Sequence, residues 1–114
     1  MVIEFSVSLD HQAGLPVVRV AGEIDVYTCP KLHKVLSELS GDVGPSVVLD
    51  LTNVHYIDST GLGTIAHSAR NLSKLNRQMN VVTNRPQVRK IFEISGLTGK
   101  NIRLFEEEAQ ACVE

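Results

Sequence analysis

Apolar and polar positions alternate with period two from Val2 to Leu9 (VIEFSVSL), which predicts a strand. HQAG (His11 to Gly14) reads as a turn. LPVVRVAGEI (Leu15 to Ile24) predicts a second strand, so the two make an antiparallel hairpin. From Asp25 the period changes. In DVYTCPKLHKVLSEL, Leu32, Val35, Leu36 and Leu39 recur at helical spacing, Pro30 suits a first helical turn and Thr28 a cap. SGDVGP ends that helix. SVVLDL (Ser46 to Leu51) is short and mostly apolar, as a strand covered on both faces is. Leu62, Ile65, Ala66, Ala69 and Leu72 then mark one stripe of a helix, with Arg70, Lys74 and Arg77 on its outer face. MNVVTN (Met79 to Asn84) predicts a strand. RPQVRKIFEISG predicts a short helix with Val88, Ile91 and Phe92 inward and Gly96 as its stop. NIRLF predicts the last strand and EEEAQACV a terminal helix.

The order β-β-α-β-α-β-α-β-α predicts an α/β fold: a mixed, mostly parallel β-sheet with an N-terminal β-hairpin and four helices. No repeat or linker divides the chain, so residues 1–114 read as a single domain. In such sheets, sites gather at the carboxyl ends of strands. Two loops qualify, GEIDVYT and IDSTGLG.

Composition narrows the function classes. With 43% hydrophobic residues, 4% aromatic and no Trp, the core must be aliphatic. A formal net charge of -2, with acids and bases mixed, leaves no basic footprint for nucleic acid. Glu106, Glu107 and Glu108 read as a solvated face or a first helical turn. Cys29 and Cys112 stand far apart without metal-ligand spacing and read as free thiols of a reducing cytosol. The N-terminus has no signal-peptide pattern, and no apolar run approaches the roughly 20 residues that span a bilayer. The expectation is a soluble cytoplasmic protein without metal or cofactor.

The chemistry concentrates in HYIDSTGLGTIAHSA (His55 to Ala69). Ser59 could be a nucleophile, a phosphate binder, a helix cap or a site of modification. The nucleophile elbow G-x-S-x-G is absent, because Ile57 stands where its first glycine belongs. Nothing places His55 or His67 against Ser59, so catalysis is not expected. Gly61 and Gly63 lie at a helix start, where free N–H groups favour anions. Yet no P-loop pattern is present, GLTGKN (Gly96 to Asn101) is too short for one, and Asp58 places a negative charge there. Asp58 and Ser59 are both ordinary N-cap residues. Two hydroxyls and an acid exceed what one cap needs, and the glycines remove bulk beside Ser59. Asp25, in the other loop, reads as the N-terminal charge of its helix or as a contact. Leu62 reads as core, Gly22 and Gly61 as backbone necessities, and Tyr27 and Thr28 as weaker surface candidates.

VAGEID (Val20 to Asp25), VVLDLTNVHYIDSTGLGTI (Val47 to Ile65) and VRKIFEISGL (Val88 to Leu97), at these separations, resemble the STAS-domain anti-sigma-factor antagonists of bacteria. The resemblance runs from about Val7 to Phe105, and DSTGLG (Asp58 to Gly63) is its most specific part. It implies a STAS-like domain that binds an anti-sigma factor, itself an ATP-dependent serine kinase, and so frees a sigma factor. It implies phosphorylation at Ser59, with Thr60 as a second candidate, and a metal-dependent serine phosphatase that reverses it. It implies partner contacts at Asp25, Asp58, Ser59, Thr60, Gly61, Leu62 and Gly63. The further expectations are no catalytic activity, no direct nucleic-acid or membrane partner, and a monomer. The alternative is a small nucleotide- or anion-binding sensor of the same fold, and a third reading is a hydrolase using Ser59.

Overall fold

The computed structural model describes residues 4–41, 43–98 and 101–113. Five strands form one sheet in sequence order: β1 (Ser6–Gln12), β2 (Leu15–Ile24), β3 (Val47–Ile57), β4 (Met79–Val82) and β5 (Ile102–Phe105). β1 and β2 are antiparallel, and every later pairing is parallel. The helices are α1 (Cys29–Leu39), α2 (Ser59–Ser73), α3 (Pro86–Ile94) and α4 (Glu108–Ala111). All three parallel crossovers step the same way along the sheet, so right-handed connection puts α1, α2 and α3 on one face. Between them and the sheet lies the main core, built from residues such as Val18, Leu32, Leu49, Ile65, Val81 and Phe92. No helix among the described residues is long and apolar enough to cross a membrane.

The expected elements are all present, with altered bounds. The hairpin turn is Ala13-Gly14 alone, with φ of 53° and 82°. Two left-handed residues match the twist of paired strands, so β1 runs on through His11 and Gln12, which the pattern had assigned to the turn. Val2 and Ile3, expected in this strand, lie outside the described residues, as do Gly99 and Lys100 of GLTGKN. β3 continues six residues past Leu51, the expected end, to Ile57. The register explains why alternation hid this. Arg19 pairs with Asp50 but Ala21 with Asn53, and Gly22 pairs with Val54 but Glu23 with Tyr56. Each shift inserts one extra residue in β3, a bulge that resets which face a side chain meets. Val54 and Ile57 thereby both reach the main core.

Two further expectations are corrected. Arg77 does not lie on the outer face of α2. It sits past that helix, 6% exposed, with Nε donating to the Pro45 carbonyl at 2.7 Å and Nη1 to the Leu39 carbonyl at 2.7 Å. A planar cation that reaches two chain carbonyls can be buried where its charge alone could not. The terminal helix is four residues rather than eight.

α4 covers part of the opposite sheet face, over Leu15, Val17, Val48 and Val82. It is tied down by charge. Arg19 of β2 donates to Glu108 through Nε at 2.9 Å and Nη2 at 2.6 Å, and to Asp10 of β1 through Nη1 at 2.8 Å. The Arg19 bonds, and then a hydrogen bond with Asp50, hold the Glu108 carboxyl down at about 2. Asp50 of β3, 9% exposed, is pushed the other way, first by burial and then by the adjacent Glu108 carboxylate. The Asn80 side chain, fully buried on this face, donates to the Ala111 carbonyl at 2.8 Å.

Candidate functional site

Ile24 and Ile57 are the last paired residues of the β2–β3 ladder. Asp25 and Asp58 follow them directly, so the sheet delivers two acids side by side at its carboxyl rim. The Asp58 N–H donates to the Ile24 carbonyl at 3.1 Å, which ties the two loops together. Each loop then opens a helix.

The two acids cap in different ways. Asp25 Oδ1 accepts from the N–H of Tyr27 at 2.9 Å and of Thr28 at 3.0 Å. The Thr28 hydroxyl accepts from the Asp25 N–H at 2.9 Å and donates to the Glu23 carbonyl at 2.8 Å. The reciprocal pair is a capping box in which the acid precedes the hydroxyl. By its sequence position Thr28 reads as a cap for α1. Its backbone is already helical and its hydroxyl points back into the loop, so Asp25 organises that turn. At α2 the arrangement is simpler. Asp58 is extended, at φ -92° and ψ -179°, and its Oδ1 accepts from the Gly61 N–H at 2.9 Å.

Ser59 is therefore not the cap. It is the first residue of α2 and exposed, as is Thr60. The bond that closes the helix end comes from Asp58, not from the Ser59 hydroxyl. Leu62 is half-buried against the main core. The two glycines do different things. A Cβ on Gly61 would stand 2.6 Å from Ile24 Cγ2, 3.1 Å from the Ile24 carbonyl oxygen and 3.1 Å from Ile57 Cγ2. Gly61 faces inward and lets the start of α2 sit on the two strand ends. Gly63 faces outward, with nothing within 4 Å of a Cβ placed there. The outward face of the turn thus consists of Ser59, Thr60 and Gly63.

Three exposed apolar side chains belong to the same pair of loops and strand ends: Val26 at 55%, Tyr27 at 88% and Tyr56 at 49%. Tyr27 was anticipated. Val26 and Tyr56 were not, because a bulge decides the face on which Tyr56 emerges. α1 and α2 start close together, with the Thr64 hydroxyl 3.5 Å from Cys29 Sγ. Farther along both helices, the exposed His33 and His67 rings stand with centroids 6.5 Å apart. Neither imidazole meets Ser59 in any bond, and His67 instead pairs with Asn71 at 3.3 Å.

The chemistry open to this rim is limited. Among the described residues no group of three His, Cys, Asp or Glu could hold a metal ion. The strand order is sequential, so the sheet has no switch point where adjacent crossovers part to leave a crevice. A groove of about 570 Å³ lies elsewhere, between β1 and α1. The rim is an open surface with an exposed hydroxyl at Ser59, an outward glycine at Gly63 and exposed apolar side chains at Val26, Tyr27 and Tyr56.

Comparison with known proteins agrees with this architecture. The STAS domain family matches residues 6–111. The anti-sigma-B factor antagonist of Staphylococcus aureus is 36% identical over 80 residues, covering 70% of this chain and 74% of that protein. An anti-sigma factor antagonist from Mycobacterium paratuberculosis superposes with a TM-score of 0.84 at 30% identity, over 95% of this chain and 91% of its own. The Bacillus cell fate determinant SpoIIAA, in its phosphorylated form, shares the fold with a TM-score of 0.70 at 23% identity, over 92% of this chain and 96% of its own.

Proposed function

The chain belongs to the STAS domain family, and on that premise we propose that it is an anti-sigma-factor antagonist switched by phosphorylation of Ser59. In the unmodified form, the rim of Asp25, Tyr27, Ser59, Thr60 and Gly63 docks on an anti-sigma factor that is also a serine kinase. Docking frees the sigma factor. The kinase transfers a phosphoryl group to the Ser59 hydroxyl, the complex parts, and a metal-dependent phosphatase resets the protein.

The observation that carries this reading is the division of labour at α2. Asp58 caps the helix through Gly61, and Ser59 is left exposed and uncommitted. A phosphate there adds about -1.5 to -2 charges. At a helix N-terminus the dipole favours it by roughly 0.3–1 kcal/mol, which works against repulsion from the Asp58 carboxylate. The fold need not respond. A closely packed partner must. Two like charges about 5 Å apart cost on the order of 3 kcal/mol at an effective dielectric near 20. That is roughly a hundredfold in affinity. Asp58 and Asp25 already make the rim acidic, so the modified surface presents concentrated negative charge.

The nucleotide- or anion-sensor alternative finds less support. The Asp58 carboxylate occupies the helix end that an anion would use. The rim is not a crevice, since no strand-order reversal opens one.

The test is phosphorylation by the candidate anti-sigma kinase with ATP, read by peptide mass spectrometry. One phosphate on Ser59 is the expected result. An unmodified protein, with the same kinase active on another substrate, overturns the proposal.

A further inference from the structure

β1 is an edge strand whose outer side has no neighbour among the described residues. Natural edges are blunted by proline, charged side chains, bulges or short length. Ser6–Gln12 (SVSLDHQ) has no proline or lysine, pairs with β2 without a register shift, and its one acid, Asp10, is held by Arg19. We propose that this edge takes a second copy of the chain, whose own β1 adds antiparallel about a two-fold axis through Leu9.

The backbone selects that axis. The two-residue turn makes Gln12 and Leu15 a closely bonded pair. By alternation, Ser6, Ser8, Asp10 and Gln12 direct their N–H and C=O groups to β2, and Val7, Leu9 and His11 direct theirs outward. An axis through Leu9 sets Leu9 against Leu9 and Val7 against His11, so outward groups meet outward groups. The His11 N–H is held by Asp10 Oδ1 at 2.7 Å, so His11 contributes its carbonyl, which accepts from Val7 of the second copy. An axis through Asp10 would oppose two carboxylates and misalign the ladder.

The side chains suit the same register. Phe5 and Val7 pack toward the main core beside α1, and alternation places Leu9 on that face, 47% exposed. Leu9 of one copy would cover Leu9 of the other. On the opposite face Ser8 meets Asp10 and Ser6 meets Gln12, pairs that can hydrogen-bond and place no like charges together. Asp10 keeps its bond to Arg19. Beside the strand, the groove of about 570 Å³ under α1, lined by Val7, Lys31, Lys34, Val35 and Glu38, leaves room for the incoming layer. Antiparallel addition turns the two Ser59 rims in opposite directions, so both stay open to a partner.

A seven-residue strand pair is small beside the roughly 1,600 Å² of a standard interface. The association is therefore weak and concentration-dependent.

Sedimentation equilibrium of the whole chain from micromolar to millimolar concentration tests it. The mass is expected to climb from 12.5 kDa toward twice that value, with concentration-dependent shifts of the Val7, Leu9 and His11 amides by NMR. Leu9→Lys places two like charges across the axis and is expected to weaken association about tenfold. Its outward backbone leaves the β1–β2 ladder in place. A wild-type mass constant to millimolar concentration overturns the proposal. So does a dimer that Leu9→Lys leaves unchanged, or one whose shifting amides map away from β1. The last outcome is read on wild-type protein and does not depend on the variant folding.

Discussion

Asp58 Oδ1 stands 2.9 Å from the Gly61 N–H, and this bond, not the Ser59 hydroxyl, closes the first turn of α2. The neighbouring residues can therefore be separated by mutation. Asp58→Ala is expected to lower stability by about 1 kcal/mol, the usual cost of a lost cap. Ser59→Ala is expected to stay within about 0.5 kcal/mol of wild type. Urea unfolding of the two variants measures both. Equal losses would mean that Ser59 shares the capping.

Gly61 and Gly63, two residues apart, should respond in opposite ways to alanine. Gly61→Ala drives a methyl against Ile24 and should cost about 1–3 kcal/mol, as overpacking does. Gly63→Ala meets open space in a helix and should stabilise by up to about 1 kcal/mol. If a partner packs on the turn, Gly63→Ala should weaken binding while raising the melting temperature. Thermal melts with calorimetric titration of the anti-sigma factor would show that opposition.

Ser59→Asp mimics part of the phosphate charge. The expected outcome is a roughly hundredfold loss of affinity for the anti-sigma factor. The melting temperature should stay near that of wild type, because an acid at a helix N-terminus is tolerated. Undiminished binding by this variant would remove the charge-switch account.

The Arg19–Glu108–Asp50 cluster sets the pH response. The Glu108 carboxyl, ordinarily at 4.5, titrates at about 2 in the fold. Its stabilisation is present above 4.5 and is lost as the pH falls toward 2. Asp50 is raised above its ordinary 3.8. Its contribution has the opposite sign, held below 3.8 and lost as the pH rises through the raised value. Glu108→Gln should therefore cost about 1 kcal/mol near neutrality, where the pair with Arg19 is partly exposed, and little in strong acid. Asp50→Asn should be neutral or stabilising near neutrality, since the amide keeps an acceptor for Thr52 and removes a buried charge. Melts of both variants across the acid range would expose a reversal of either sign.

Much of the fold was legible in the chain because its signals are local. The α2 stripe of Ile65, Ala66, Ala69 and Leu72 is buried as its spacing requires. Gly96 adopts φ 75° at the end of α3, as a helix stop should. Val47 to Leu51 is buried on both faces, as a parallel strand between layers must be. The Ser59 turn was legible too, since an acid, two hydroxyls and two glycines after an apolar strand have few reasons to occur together.

The sequence by itself thus determined element type and order, because periodicity and turn chemistry act over a few residues. Tertiary structure alone decided the rest. Where β3 ends depends on bulges set by its pairing with β2. Whether Gly61 serves a partner or the core depends on Ile24, which lies 37 residues earlier in the chain. Arg77 is buried because the Leu39 and Pro45 carbonyls converge on it. Asp25 and Asp58 become neighbours only when two strands align. Each of these outcomes rests on a contact between distant segments, and no local pattern encodes the distance across which such a contact will form.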